Sequence, residues 1–301
     1  MPCTKYSSPL IAMGLVACLL PAAVASADEL QHDQLAANAK WYLHVDLDAM
    51  RSSTLGRNII EHQTGDKHAD RLAWIERHTG MRPHEQLTSI LIYGTDFEHR
   101  QGVAIFQGDF DRDRIIDRLA GAPGYQSLDP ANDTHRIALP GDTQRDLYLA
   151  FHNASLILAS DRSRLITALA TRTGRAEPLP ADSPLLAGDR EGAMFQFGAT
   201  DLSQMHERQA NLMQAADRMS MAIVEHDGRV ALQGSVTADD ERRAQQLYDA
   251  MRGMKAMAML QSEELSPLFE QARLHRAGEH IEFTWSVPAR DVIDMLEAYV
   301  R

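Results

Sequence analysis

From Arg218 to Met251 the chain alternates apolar and polar positions in three successive ways. Met219 to Val224 is a short apolar run. Asp227-Gly228 follows, a dipeptide that tolerates the positive φ angles of a tight hairpin turn. Arg229 to Val236 then alternates with a period of two, marked by Val230 and Leu232, with Gly234 placed to sit in a bulge. Thr237 or Asp239 is positioned to cap a helix whose first turn carries Asp239, Asp240 and Glu241, where negative charge meets the helix dipole favourably. Ala244, Leu247, Tyr248 and Met251 then recur at helical spacing, so one face must be buried. A hairpin with one apolar face and a helix with one apolar stripe cover each other.

The same pattern predicts three more hairpin–helix units. One pairs Leu87 to Tyr93 with Gly102 to Gln107, ahead of a helix from Asp111 to Leu119. Another pairs Arg145 to Phe151 with Ser155 to Ala159, ahead of a helix from Asp161 to Ala170. The last pairs Arg273 to Arg276 with His280 to Val287, ahead of a helix from Pro288 to Tyr299. Each helix opens on Asp or on Pro and Asp, which suits a helix N-terminus. Elsewhere Lys40 to Leu47 reads as a strand with Trp41, Leu43 and Val45 on one face. Helices are expected from Asp48 or Ser52 to His62, from Ala69 to His78 and from Asp201 to Asp217. Short strands are expected at Tyr125–Leu128, His135–Leu139 and Ala193–Gly198.

PLPADSPLLAGD, within residues 177–190, holds three prolines and no periodicity, so it reads as a linker or a crossing loop. WYLHVDLDAM from Trp41 and MFQFGATDLSQM from Met194 look like counterparts on either side of it. The expected architecture is α+β. Two similar halves, 28–176 and 191–301, would be built of mostly antiparallel sheet with helices packed on one face, by internal duplication. A sheet face left uncovered, or a groove between the halves, would be the binding surface.

Residues 1–27 read as a signal peptide. Lys5 is the basic residue of its start, Pro9 to Val24 is apolar, and Ala25-Ser26-Ala27 is a small-x-small site that places cleavage after Ala27. Leu15 to Cys18 resembles the lipobox before a lipidated cysteine, so a chain anchored through Cys18 is the alternative to a soluble periplasmic or secreted one. Cys3 and Cys18 are the two cysteines of the sequence. A mature chain would have no disulfide framework and no thiolate site, and it is not expected to hold a transmembrane segment. Its net charge of -12 falls to -13 without Lys5, and no run of basic residues offers a nucleic-acid surface.

Candidate chemistry is sparse. Asp109-Phe110-Asp111-Arg112-Asp113 resembles the start of a calcium loop, but Arg114 and Ala120 stand where an EF-hand needs Gly and Glu, so capping of a helix is the reading. Nine of thirteen histidines lie between His32 and His152. The pairs His62 with His68 and His78 with His84 are spaced by six, which is not a zinc motif. Asp46 and Asp48 end the first strand and suit a helix cap better than paired-carboxylate catalysis. Met251, Met254, Met257 and Met259 form the most unusual cluster: thioethers suit Cu(I), and methionine also fills cores and adaptable surfaces. The sequence has no Gly-x-Ser-x-Gly, Ser-x-x-Lys, P-loop or Rossmann pattern. It therefore reads as an exported, non-enzymatic envelope protein that binds a protein or small-molecule partner and carries no expected cofactor. The alternatives are a periplasmic hydrolase with a site assembled from separate loops and a copper-handling protein using Met251, Met254 and Met257.

Overall fold

The computed structural model describes residues 30–97, 101–122, 124–138, 146–204, 215–261 and 266–300. The strands are β1 Trp41–Asp46, β2 Leu87–Gly94, β3 Val103–Gly108, β4 Gln126–Asp129, β5 Thr134–Ala138, β6 Asp146–His152, β7 Ser155–Ala159, β8 Ala193–Thr200, β9 Ala216–His226, β10 Arg229–Ala238, β11 Arg273–Ala277 and β12 His280–Pro288. The helices are α1 Leu47–Ser52, α2 Thr54–Thr64, α3 Asp66–Thr79, α4 Pro83–Gln86, α5 Arg112–Ala120, α6 Arg162–Arg172, α7 Glu241–Gln261, α8 Ser266–Glu270 and α9 Ala289–Val300.

All twelve strands join one antiparallel sheet in the order β11-β12-β10-β9-β8-β1-β2-β3-β7-β6-β5-β4. The fold is thus α+β, and the four hairpin–helix units are β2-β3-α5, β6-β7-α6, β9-β10-α7 and β11-β12-α9. Read outward from the middle, one arm runs β1-β2-β3-β7-β6 and the other β8-β9-β10-β12-β11, so the strand order repeats. The arms meet through the β1–β8 ladder, in which Trp41 lies opposite Ala199 and Val45 opposite Phe195. That junction is a hydrogen-bonded ladder, not a groove. Residues 177–190 cross the sheet as an ordered segment: Ala36 bridges Pro178, Leu179 donates its N–H to Leu35 at 2.8 Å, and Leu179 and Leu185 are buried.

Register decides which side chains share a face. Leu43, Val45, Ile90, Ile92, Phe106, Phe195, Ile223, Val230 and Val287 point one way and pack under α1, α2, α3 and α9. On the same face α5 sets Ile115 against Leu149, Phe151 and Leu156, and α7 sets Ala244 and Leu247 against Ala199, Val236 and Ile281. Helix α6 is the departure from helices on a single face. Its Leu165, Ala168 and Leu169 cover Tyr42, Leu91, Tyr93, Ile105 and Ile157 on the opposite side, together with Leu35, Leu179 and Leu185. The reason lies in the strands. β2, β3 and β7 are apolar on both faces and need cover on both. β10 and β12 carry Gln233, Ser235, Glu282 and Thr284 on that opposite face, and Ser220 and Ser235 join hydroxyls across it at 2.9 Å.

Several local expectations are corrected. Gly234 is not bulged: it pairs in register with Met221 and Phe283, and a Cβ there would collide with the Phe283 ring. The irregularity falls at Thr237/Ala238 instead. Asp240, not Thr237 or Asp239, receives the N–H of Arg243 at 2.7 Å, while Asp239 pairs with the Arg243 guanidinium. The helix expected from Asp201 to Asp217 is replaced at its ends by a 3-10 turn, Leu202–Gln204, and by β9 from Ala216; residues 205–214 lie outside the described ones. The helix expected up to His62 divides at Ser53. Its hydroxyl donates to Met50 O at 3.0 Å and accepts the Gly56 N–H at 2.9 Å, closing α1 and opening α2 at once. The turn at Asp227-Gly228 has φ of 49° and 69°, as its sequence demands.

Candidate functional site

The methionine cluster lies on α7, and helix geometry distributes it among different surroundings. Met251 faces inward, beside Tyr248 and Phe283, against the cluster built on Val236 and Ile281. Met254 and Met257 point to solvent at 53% and 61% exposure, and Leu260 at 86%. Gly253, just before them, and Ala256, among them, are exposed as well. Among the described residues, the second half of α7 therefore presents an apolar stripe that stays open to solvent. The buried half of the same helix explains why the pattern predicted a helix but not this stripe: periodicity counts apolar positions and does not reveal where the covered sheet ends.

Beside the stripe is a hollow of about 290 Å³. Tyr248, Arg252, Lys255, Ala256 and Met259 wall it from α7, and Ala272 and Leu274 from the start of the edge strand β11. Lys255 Nζ donates to Ala272 O at 2.6 Å and Glu270 O at 3.3 Å, tying α7 to the end of α8. Arg252 lies over the Tyr248 ring, 5.8 Å from its centroid. Such placement suits a contact surface. The three candidate copper ligands do not share one environment, because Met251 packs into the core cluster while the other two face water.

A second hollow, of about 280 Å³, lies at the start of α6 between Asn38, Tyr93, Thr95, Asp161 and Arg164. Arg164 already bonds Asp161, Asp96 at 2.7 Å and Gln101 at 2.5 Å, so the charges there are spent on each other.

A chain of polar groups that the sequence did not reveal sits on the β4–β5 hairpin. The Tyr125 hydroxyl meets His135 Nδ1 at 2.8 Å, and His135 Nε2 meets Asp133 Oδ1 at 3.0 Å. Arg112 clasps both oxygens of Asp133 and lies over the Phe151 ring at 5.9 Å. Partial burial works to raise the Asp133 pKa, but the hydrogen bonds from Arg112 and His135 win and hold it below the usual carboxylate range. Burial raises the Tyr125 pKa, helped by Asp133. Asp133 has φ of 50°, and the network pins this left-handed turn to α5. Nothing between residues 125 and 135 signals the arrangement except the pair Asp133 and His135, one in the turn and the other two residues on in β5.

The other sequence candidates have structural partners. Asp46 accepts the Ala49 N–H at 2.8 Å and Asp48 pairs with Arg51. Asp111 accepts the Arg114 N–H at 2.9 Å and so caps α5. His78 stacks on Trp74, with ring centroids 4.4 Å apart. Among the described residues, no group of three or more His, Cys, Asp or Glu gathers as a metal site requires. No described helix is long and apolar enough to cross a membrane. Cys18 and the cleavage site after Ala27 lie outside the described residues.

No protein-family model matches the chain, and no curated protein matches it. Three solved structures of TP0453 resemble it. Crystal form III has a TM-score of 0.48 at 12% identity, over 91% of this chain and 100% of the other. Form I gives 0.43 at 10% identity, over 91% and 98%. Form IV gives 0.45 at 11% identity, over 90% and 97%. At these values no residue and no role passes from TP0453 to this chain.

Proposed function

We propose that this is an exported, non-enzymatic protein of the bacterial cell envelope that holds a partner against the outer face of α7. One observation carries the reading: Met254, Met257 and Leu260 are 53%, 61% and 86% exposed along a single stripe. Leaving such side chains in water costs roughly 1.5–3 kcal/mol each relative to burial, and contiguous exposed apolar surface marks contact sites in soluble proteins. Methionine adds adaptability, since its unbranched thioether refits to different shapes. The acidic balance of the chain keeps such a protein soluble in an extracytoplasmic compartment.

The test uses a photo-activatable residue placed in turn at Met257, Leu260 and, as a control on another helix, Ile166. Discrete cross-linked products from the two α7 positions and none from Ile166 are expected in cells exporting the protein. Equal labelling at all three sites, or none, would count against α7 as the contact surface. Fractionation with N-terminal sequencing reads the export half: an N-terminus at Asp28 supports cleavage after Ala27, and a lipid-labelled Cys18 supports anchoring instead.

A further inference from the structure

We infer that His275, His280 and Glu282, on the open face of the sheet opposite α7, form a binding site for a borderline divalent metal ion of the zinc(II) class. Strand register brings them together. His280 and Glu282 are two apart on β12 and so share a face. His275 on β11 stands directly opposite Glu282, and the small Ala277 stands opposite His280. Directly opposed residues have Cβ atoms about 4.5–5.5 Å apart, and diagonal neighbours such as His275 and His280 lie roughly 7–8 Å apart, within reach of long side chains. All three are open to solvent: the His280 and Glu282 side chains are 44% and 61% exposed, and His275 is exposed as well.

The pair on β12 is already set at ligand spacing. His280 Nε2 lies 3.6 Å from Glu282 Oε1, too far for a hydrogen bond. A tetrahedral ion with ligands at about 2.0–2.1 Å holds neighbouring donors roughly 3.4 Å apart. The hydroxyl of Thr237, opposite His280, meets the ring Nδ1 at 3.3 Å. With the hydrogen of Nδ1 directed at Thr237, Nε2 carries the lone pair that a metal takes, which is how ligating histidines are oriented. Among the described residues no three such groups converge, so His275 completes the set by turning. Exposed side chains exchange rotamers in ps–ns, and an ion selects the convergent one. Two imidazoles and one carboxylate suit zinc(II) and its neighbours, whereas calcium and magnesium take oxygen ligands. Arg273, two residues from His275 on the same face, is a like charge, so the Glu282 carboxylate is what makes the site attractive to a cation. β12 is paired on both sides, to β10 and to β11, which sets two of the three ligands on rigid backbone.

The experiment titrates zinc(II) into the purified full chain by calorimetry near neutral pH, with Cys3→Ser and Cys18→Ser so that no thiolate competes. One ion should bind per chain. Its affinity should fall at least about tenfold in His275→Ala, in His280→Ala and in Glu282→Gln, and roughly tenfold in Thr237→Val, which frees the His280 ring. His226→Ala, at an exposed histidine on β9, should change nothing. Cobalt(II) should show the strong visible absorption of a four-coordinate ion, lost in the same ligand variants. Circular dichroism confirms that each variant is folded. Binding that survives His275→Ala would reduce the site to a two-point contact and overturn the inference. Equal losses in His226→Ala, or several weak ions with no single strong one, would overturn it in favour of adventitious coordination by scattered histidines. Absence of zinc binding would overturn it outright. The contact surface on α7 stands or falls separately, since its cross-linking requires no metal.

Discussion

His44 and Asp133 show how single side chains are governed by neighbours far along the chain. His44 is 2% exposed on β1, between Leu91 and Gln196, and its Nδ1 has no hydrogen-bond partner among the described residues. Burial pushes its pKa from 6.5 down to about 4. Above pH 6.5 the ring is neutral whether the chain is folded or not, and full stability is present. As pH falls below 6.5 the unfolded chain takes up a proton that the folded chain refuses. Stability is then lost at about 1.4 kcal/mol per pH unit until roughly pH 4. Urea titrations between pH 7 and 5 should show that slope, and His44→Leu should remove most of it. A variant with the unchanged slope would mean that other groups set the acid sensitivity. Asp133→Asn keeps a side chain that tolerates the left-handed turn but loses the charge that Arg112 and His135 share. A cost of about 1–2 kcal/mol in denaturant unfolding is expected. The sequence showed Asp133 and His135 plainly, yet their link to Arg112 exists because β5 and α5 are brought together.

At the scale of elements, helices α2 and α7 make opposite demands. The start of α2 is capped from another part of the chain: the Glu225 carboxylate on β9 accepts the N–H groups of Thr54 and Leu55, both at 2.8 Å. Glu225→Ala should cost about 1–2 kcal/mol, since it removes two bonds at a helix N-terminus, and amide hydrogen exchange should report the loss first in α2. Met257→Asp/Leu260→Asp on α7 should shift the midpoint of unfolding very little, within about 0.5 kcal/mol per site, because both side chains already face water. A large loss there would show that the stripe is packed, and would remove the observation behind the proposed function. Local capping by Asp111 and Asp161 could be read from the chain because donor and acceptor lie three residues apart. The Glu225 cap could not, since 170 residues separate its partners.

For the whole molecule, the shared core decides cooperativity. Val45 and Ile90 of one arm pack in the same cluster as Val230, Val287 and Ile293 of the other, and the β1–β8 ladder joins the arms through backbone bonds. Unfolding followed by far-ultraviolet circular dichroism and by tryptophan fluorescence should give coincident transitions. Two separated transitions would show that the arms are independent bodies. The repeated strand order, β1-β2-β3-β7-β6 and β8-β9-β10-β12-β11, is consistent with a duplicated ancestor. The two arms differ in the helix that closes each, since α6 and α9 lie on opposite faces of the sheet.

What the chain alone determined was local. Hairpin turns at Asp227-Gly228 and around Asn153, helix starts at Asp111 and Asp161, and strand faces such as Trp41, Leu43 and Val45 follow from interactions within a few residues. Tertiary structure decided the rest: that both arms share one sheet, that α6 crosses to the other face, that Glu225 caps α2, and that α7 carries its methionines beyond the surface it covers. Periodicity tells which side chains must avoid water, but only the positions of the neighbours tell whether they succeed. On α7, Met254, Met257 and Leu260 do not, and the function proposed for the molecule rests on that remainder.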